Sequence, residues 1–411
     1  MSNKNYVPLN EFILLQRGFD LPQGERIYGD VPVVASTGIA GFHNEYKVGA
    51  PGVVIGRSGT IGGGQYITQN FWPLNTTLWV KDFKGHDERY VYYLLKSIDF
   101  QRFNVGTGVP TLNRNHLSSV LVKNLEYKNE KVIAKILGDL DEKIHLNNQI
   151  NQTLESIAQA IFKSWFIDFE PVRAKIAAKQ EGKDPERAAM CAISGKSEAE
   201  LEQMAKEDFA ELQATAALFP DELVESELGE VPKGWSIAKV DGILNRIKIK
   251  KRFKKNDVNE FGRTFVLEQG SNIILGFHND EGSIPASKEE PVFIFGDHTC
   301  ITKLMLSNFD VSENVIAVTG KERNSYWTYY AIRDLQKFQE YRRHWMELVS
   351  KQVVMADLNL TDYFAKKVKT LHEEIENFVH ENLVLINLRD TLLPKLLSGE
   401  VDMLGLQSEG D

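Results

Sequence analysis

"NEKVIAKILGDLDEKIHLNNQINQTLESIAQAIFKSWF", residues Asn129 to Phe166, contains no proline and a single glycine, Gly138. Alternating steps of three and four from Ile133 reach Ile136, Leu140, Lys143, Asn147, Ile150, Leu154, Ile157 and Ile161, and seven of these nine positions are aliphatic. That spacing is a coiled-coil seam, so the stretch is expected to be one long helix with a partner. The partner is written 235 residues further on: Val368, Leu371, Ile375, Phe378, Asn382, Leu385, Arg389, Leu392 and Leu396, again seven apolar of nine. Asn147 falls on Asn382. A polar residue is costly to bury at a seam and mostly serves to set register or partner, so both asparagines are candidate register residues.

The same offset relates "GFHNE" at Gly41 to "GFHND" at Gly276. Looser echoes lie between, at slightly larger offsets that imply small insertions. "VIGRSGT" from Val54 resembles "IFGDHT" from Ile294, Tyr92-Tyr93 resembles Tyr329-Tyr330, and Leu112-Asn113 resembles Leu358-Asn359. The chain therefore reads as an internal duplication.

Around the helices the texture is strand and turn. "VPVVAS", "GVVIGRSG" and "TTLWVKDF" are β-branched or aromatic runs punctuated by glycine and proline, interrupted by one helix, "DERYVYYLLKSIDFQRF". After Trp235 the texture returns, with one internal helix, "SYWTYYAIRDLQKFQEYRRHW". An Ala-, Glu- and Lys-rich stretch from Arg173 to Leu218 reads as a polar helical insert, and "ELGEVPKGW" as turn chemistry opening a second domain. Pro394 is expected to disturb the last turn of the second long helix, and Gly399 to stop it.

The expected fold class is α+β, with internal pseudo-twofold duplication. Two mainly-β domains with helical inserts are joined by two long helices forming an antiparallel coiled coil. The boundaries are 1–125 for the first globular domain and 126–172 for the first spacer helix. The insert covers 173–230, the second globular domain 231–364, and the second spacer helix with its tail 365–411. About 34 helical residues span about 50 Å, so the arrangement suits a ligand with two recognition elements a set distance apart, duplex DNA foremost.

Length and composition agree. In 411 residues, 42% hydrophobic and 26% charged, there is room for two or three ordinary globular domains. No run is apolar enough to span a bilayer, "MSNKNYVPLNEF" lacks a signal-peptide pattern, and two cysteines give no disulfide framework, which together imply a cytoplasmic protein. A net charge of −9 hides where the cations lie.

Chemistry of its own is missing. "GRSGTIGGG" lacks the Lys-Ser/Thr of a P-loop, and Thr60 stands where a nucleophile elbow needs glycine. No Gly-x-Gly-x-x-Gly follows a strand, and His43, His278 and His298 have no companions at metal spacing. Solvated or hydrogen-bonded histidine is the bland reading of each.

Features suited to DNA are present. "KIKKRFKK" holds Lys248, Lys250, Lys251, Arg252, Lys254 and Lys255, either a solvated loop or a phosphate-binding run. Arg342, Arg343 and His344 form a weaker cluster that a solvated helix face explains equally well. In the first domain the candidates are Ser36, Thr37, His43, Asn44, Arg57, Ser58 and Thr60 in glycine-rich loops, and Asn113, Arg114, Asn115 and His116 in "TLNRNH". Helix capping explains the asparagines of "TLNRNH" without DNA. In the second domain the loop candidates are Gln269, His278, Asn279 and His298.

"STGIAGFHNEYKVGAPGVVIGRSGTIG", "GVPTLNRNHL", "LNNQINQTLESIAQAIFKSWFIDFEPVRAK", "GEVPKGW" and "LRDTLLPKLLSGEV", in that order, resemble the DNA-specificity subunit of type I restriction–modification systems. The resemblance covers nearly the whole chain, and the long acidic insert is its one departure. It implies that each globular domain is a target-recognition domain reading half of a split duplex site, spaced by the coiled coil, and that the chain does no chemistry and binds no cofactor. It implies as partners two methyltransferase subunits using S-adenosylmethionine on adenine, and restriction–translocase subunits using ATP and Mg. A stand-alone two-headed DNA-binding regulator and a protein scaffold are the competing classes. The regulator binds its site tightly alone, and the scaffold has no sequence preference.

Overall fold

The computed structural model describes residues 6–106, 108–270 and 272–401. The chain divides into two compact units, Met1–Leu146 with Val384–Asp411, and Asn147–Leu383.

In chain order the first unit holds β1 (Tyr6–Pro8), α1 (Leu9–Phe12), β2 (Leu14–Arg17), β3 (Val31–Ala35), β4 (Gly38–His43), β5 (Gly52–Gly56), β6 (Gly62–Ile67), β7 (Trp72–Pro73), β8 (Thr77–Asp82), α2 (Glu88–Lys96), α3 (Arg114–Leu117) and β9 (Leu121–Lys123). The helix α4 (Tyr127–Phe166) follows. The sheets have the orders β2-β8-β5-β6, β4-β3-β7 and β1-β9. β5, "GVVIG", is buried at all five positions because both of its faces are covered. Val53 and Ile55 meet the core that includes Tyr90, Val91 and Leu94 of α2, while Val54 meets Val34 and Phe71. Asp87 starts α2 by accepting the Tyr90 N–H at 2.9 Å.

The second unit begins within α4 and adds α5 (Glu170–Gln180), α6 (Pro185–Ser194), α7 (Glu198–Glu202), α8 (Lys206–Ala217) and the hairpin β10 (Leu223–Ser226) with β11 (Gly229–Pro232). Then come β12 (Ser236–Lys239), α9 (Val240–Ile243), β13 (Leu244–Arg246), β14 (Thr264–Leu267), β15 (Ile274–His278), β16 (Val292–Gly296), β17 (Thr302–Met305), β18 (Asp310–Val311) and β19 (Val315–Gly320). Last are α10 (Ser325–Arg333), α11 (Trp345–Ser350), β20 (Gln352–Met355) and α12 (Leu358–Ser398). The sheets are β13-β19-β16-β17, β15-β14-β18 and β12-β20. Strand for strand this is the plan of the first unit, including a parallel pair in each, β3 with β7 and β14 with β18. β16 is likewise two-faced, with Phe293 and Phe295 in one core and Val292 and Ile294 in another. The duplication is thus visible in topology as well as in sequence.

Several expectations change. The predicted internal helix from Ser325 ends at Arg333, and Asp334 to His344 is turn and loop before α11. α12 starts at Leu358, seven residues before the expected Ala365, and runs through Pro394 to Ser398, where Gly399 at φ +70° ends it. Leu112-Asn113 and Leu358-Asn359 are not equivalent, since the former precede α3 and the latter open α12. In the insert α6, α7 and α8 pack around Ala189, Met190, Leu201, Leu212 and Ala216, while Val172 of α5 joins the core of Phe166 and Trp235. The stretch from residue 402 to the end, part of the expected tail, lies outside the described residues.

Both long helices pack on each other within each unit. In the first, Ile133 and Leu137 share a core with Leu393, Leu396 and Leu397. In the second, Ala158, Phe162, Trp165 and Phe166 meet Leu360, Phe364 and Val368. The α12 seam lies inward as spaced, but the α4 stripe drifts by one residue toward its end, leaving Ile157 43% exposed while Ala158 is buried. Asn147 donates its Nδ2 to Asn382 Oδ1 at 2.9 Å, and Asn382 donates to Asn148 at 2.9 Å. The two seam asparagines therefore meet each other.

A tyrosine ties each β-region to both helices. Tyr93 of α2 donates to Asp141 of α4 at 2.6 Å, and Arg389 of α12 holds the other oxygen of Asp141 at 2.6 Å. In the second unit Tyr330 of α10 donates to Glu155 of α4 at 3.1 Å and lies 2.7 Å from His372 Nε2 of α12, with Arg333 paired to Glu155. Burial pushes His372 down to about 4 from 6.5, against the opposing pull of Glu155. Because the folded value is depressed, the unfolded chain binds the proton first as pH falls. Stability is complete above about pH 6.5 and declines by about 3 kcal/mol toward pH 4 from this residue. We expect His372→Gln to flatten that part of the pH profile in denaturant unfolding followed from pH 7 to 4. Parallel profiles for the two proteins would count against it.

Candidate nucleic-acid interface

In the first unit, loops distant in sequence are drawn together at one end of the sheets. Ser36 and Thr37 form the turn between β3 and β4, and Arg57 to Thr60 follow Gly56, the last residue of β5. The segment leading to α3 is bonded to that second loop: Leu112 N–H donates to Arg57 O at 2.8 Å and Gly59 N–H to Pro110 O at 2.9 Å. Arg57 N–H in turn donates to Thr76 O at 2.8 Å. The glycine at 56 is required, since a Cβ there would lie 2.0 Å from the Thr60 carbonyl oxygen and 3.2 Å from Ser36 Cβ. Arg57 is half-buried, and its guanidinium reaches Asn75 O at 3.4 Å. Asn113 spends its side-chain oxygen capping α3, accepting the Asn115 N–H at 3.0 Å. Arg114, Asn115 and His116 are exposed, as are Thr37, Asn44 and Thr60. Ser36 and Ser58 are half-buried.

The repeated histidines are packing residues in both units. His43 is buried, accepts the Ile27 N–H through Nδ1 at 3.0 Å and stands edge-on to Trp72. His278 is buried, lies 3.0 Å from Asp310 through Nε2 and stacks on Phe253 with 4.8 Å between ring centroids. Both close the second strand of the same hairpin, which explains the recurrence of the pentapeptide without any ligand. Asn44 and Asn279, the residues after them, are exposed.

The second unit places different chemistry on the same frame. The parallel pairs align Val34 with Leu267, hence Ala35 with Glu268 and Ser36 with Gln269. Gly296 matches Gly56, and a Cβ there would lie 2.8 Å from Gln269 Cβ. Gln269 accepts the His298 N–H through Oε1 at 2.8 Å. Asp297 occupies the place of Arg57 and is structural: its Oδ1 accepts from the N–H groups of His344 (3.1 Å) and Trp345 (2.9 Å) at the start of α11. His344 is buried, and Arg342 is paired with Glu340 and Glu347, so that cluster is not a free cationic face.

The basic run is an extended segment with its sides sorted by polarity. Ile247 and Ile249 are half-buried and Phe253 is buried, while Lys248, Lys250, Lys251, Arg252, Lys254 and Lys255 are exposed. Ile247 N–H donates to Ala317 O at 2.9 Å and Phe253 N–H to Val311 O at 3.0 Å, which pins the segment at both ends. Arg252 is committed to the carbonyls of Ser312 (2.6 Å) and Val315 (3.0 Å), and Lys251 lies over the Phe253 ring at 4.1 Å. Lys254 and Lys255 edge a cleft of about 530 Å³ that Glu268, Gln269 and Asn272 also line. Glu268 and Asn272 carry no sequence signal for this position; the fold brings them there.

No catalytic arrangement accompanies these surfaces among the described residues. Asp310 receives both Ser283 and His278, so the three do not form a relay toward a serine nucleophile. Burial pushes the Cys300 thiol up to about 11, which keeps it protonated at neutral pH. Among the described residues no group of three or more His, Cys, Asp or Glu is placed to hold a metal ion, and no described helix is long and apolar enough to cross a membrane.

One β-plan used twice, with polar loops gathered at one end of each copy and a paired-helix element in both, defines an internally duplicated two-unit protein. Residues 1–156 match the family model described as type I restriction modification DNA specificity domain. The chain is 30% identical over 334 residues to the specificity subunit of the type I restriction enzyme HindI from Haemophilus influenzae, covering 71% of each chain. It is 25% identical over 345 residues to the MjaIX specificity subunit from Methanocaldococcus jannaschii, covering 77% of this chain and 70% of that one. A crystal structure of the S subunit of a type I restriction–modification system from M. genitalium matches the fold with a TM-score of 0.53 at 14% identity, covering 97% of both chains. The chain belongs to the specificity subunits of type I restriction–modification systems. It is the DNA-recognition, non-catalytic member of a multi-subunit assembly.

Proposed function

We propose that the two units each read one half of a split duplex site, with α4 and α12 as the spacer and Asn147 and Asn382 fixing its register. The observation that carries this is the identical strand order in the two units, furnished with different loop chemistry: Arg57 and Ser36 in one, Asp297 and Gln269 in the other. Within this reading the exposed loop residues and the lysine run are the groups that touch DNA. Backbone amides and lysines position the phosphates, and Asn, Gln, Arg or Glu side chains reach base edges. Two methyltransferase subunits carrying S-adenosylmethionine, and restriction subunits using ATP and Mg, supply the chemistry in a cytoplasmic complex.

The test is methylation by the assembled complex on duplexes whose half-sites are varied separately. Arg57→Ala or Arg114→Ala is expected to weaken recognition of one half-site by roughly 5- to 150-fold and leave the other unchanged. Equal loss at both halves would overturn the assignment of one unit to one half.

A further inference from the structure

Glu268 is a carboxylate in a cleft whose charged lining is two lysines and two glutamates. It follows the last residue of β14 and shares the cleft wall with Lys254, Lys255, Gln269, Asn272 and Glu313. Glu313, the other acid there, has the Arg252 guanidinium within Coulombic reach. Glu268 has no side-chain partner among the described residues; its backbone N–H donates to Ile273 O at 2.8 Å, and Oε1 stands beside Gly270. An unpaired carboxylate facing a polyanion weakens binding unless it accepts a hydrogen bond from the ligand. Duplex DNA offers such donors in its major groove only as exocyclic amines, N6 of adenine and N4 of cytosine.

The neighbouring residue completes the set. The Gln269 oxygen is taken by the His298 N–H, which leaves its Nε2 to donate. Glu268 thus supplies an acceptor and Gln269 a donor side by side. The equivalent pair in the first unit, Ala35 and Ser36, offers no carboxylate and no amide, on the same backbone frame. A difference confined to side chains at matched positions is what two readers of unlike half-sites require.

We infer that Glu268 is a specificity-determining residue of the second unit, accepting a hydrogen bond from the exocyclic amine of an adenine or cytosine while Lys254 and Lys255 hold the flanking phosphates. The inference rests on the proposed reading that this unit binds duplex DNA through its loops.

The experiment uses the complex with its methyltransferase subunits. The wild-type site is first read from methylated genomic DNA, and duplexes changed one base pair at a time are then offered to wild type, Glu268→Gln, Glu268→Ala and the double variant Lys254→Gln/Lys255→Gln. Both Glu268 variants are expected to lose discrimination at a single A·T or C·G pair of one half-site, by roughly 5- to 150-fold, with every other position unchanged. Glu268→Gln preserves shape, so it reports even where the alanine variant folds poorly. If the Glu268 variants strengthen all duplexes alike, or alter no position while the lysine variant weakens all sequences, the inference falls and the cleft remains a DNA site. If the lysine variant also changes nothing, the cleft is not a DNA site and the underlying reading falls with it.

Discussion

Lengthening α4 and α12 together by one heptad, between Leu146 and Asn147 and between Asn382 and Leu383, is expected to shift the preferred gap between half-sites by about three base pairs. Seven residues are two turns at the 3.5 periodicity of a coiled coil, so the seam keeps its phase on both sides of the insertion. The added length is about 10 Å at roughly 1.5 Å per residue, and a base pair rises about 3.4 Å. The same insertion in α12 alone leaves Asn382 beside Asn147 but shifts Arg389, Leu393 and Leu396 out of register with Asp141, Ile133 and Leu137 of α4. Removing buried leucines from their packing partners costs about 2–5 kcal/mol each, so the single insertion is expected to lower stability. Methylation of a duplex series with graded gaps reads the first effect and thermal unfolding the second. An unchanged gap preference in the double insertion would remove the spacer role.

Replacing Lys248, Lys250, Lys254 and Lys255 together by glutamine is expected to weaken binding of every sequence, with no change in base preference. Each phosphate deprived of its lysine flattens the dependence of log affinity on log salt by about 0.9, so the slope should become shallower by up to about 3–4. The chain as a whole is acidic, at −9, which makes this local run the more conspicuous source of attraction in the second unit. Arg252→Gln should behave differently. Its guanidinium bonds the carbonyls of Ser312 and Val315, so its loss is expected to loosen the segment and lower stability besides binding. Filter binding of the assembled complex from about 50 to 200 mM salt distinguishes the two classes. An unaltered slope in the quadruple variant would mean that these lysines are solvated and idle.

The architecture was legible because it is periodic. A seam repeated at a fixed offset, with asparagine at the same step in both copies, encodes two partnered helices directly. The α12 seam lies inward as spaced, and Asn147 does meet Asn382. Periodicity fails where the helix changes neighbours, and Ile157 turns outward as the aromatic cluster around Phe162 and Trp165 takes over the packing. The candidate surfaces were legible only in part. Glycines and cations mark loops, but nothing local tells that Gly59 bonds Pro110 or that Glu268 lines a cleft with Lys255. His43 and His278 drew notice through repetition, and repetition here marks a shared hairpin core. The break after Arg333 is equally non-local: Asp297, far upstream, caps α11 and holds the preceding loop.

β1 pairs antiparallel with β9, Tyr6 beside Lys123, and β12 pairs with β20, Ser236 beside Met355. The polypeptide therefore enters and leaves each recognition body through one two-pronged plug, immediately ahead of a long helix. On the proposed reading of one unit per half-site, exchanging the segment between the prongs is expected to change the half-site read only where the contacts to the long helices, Tyr93 with Asp141 or Tyr330 with Glu155, are kept.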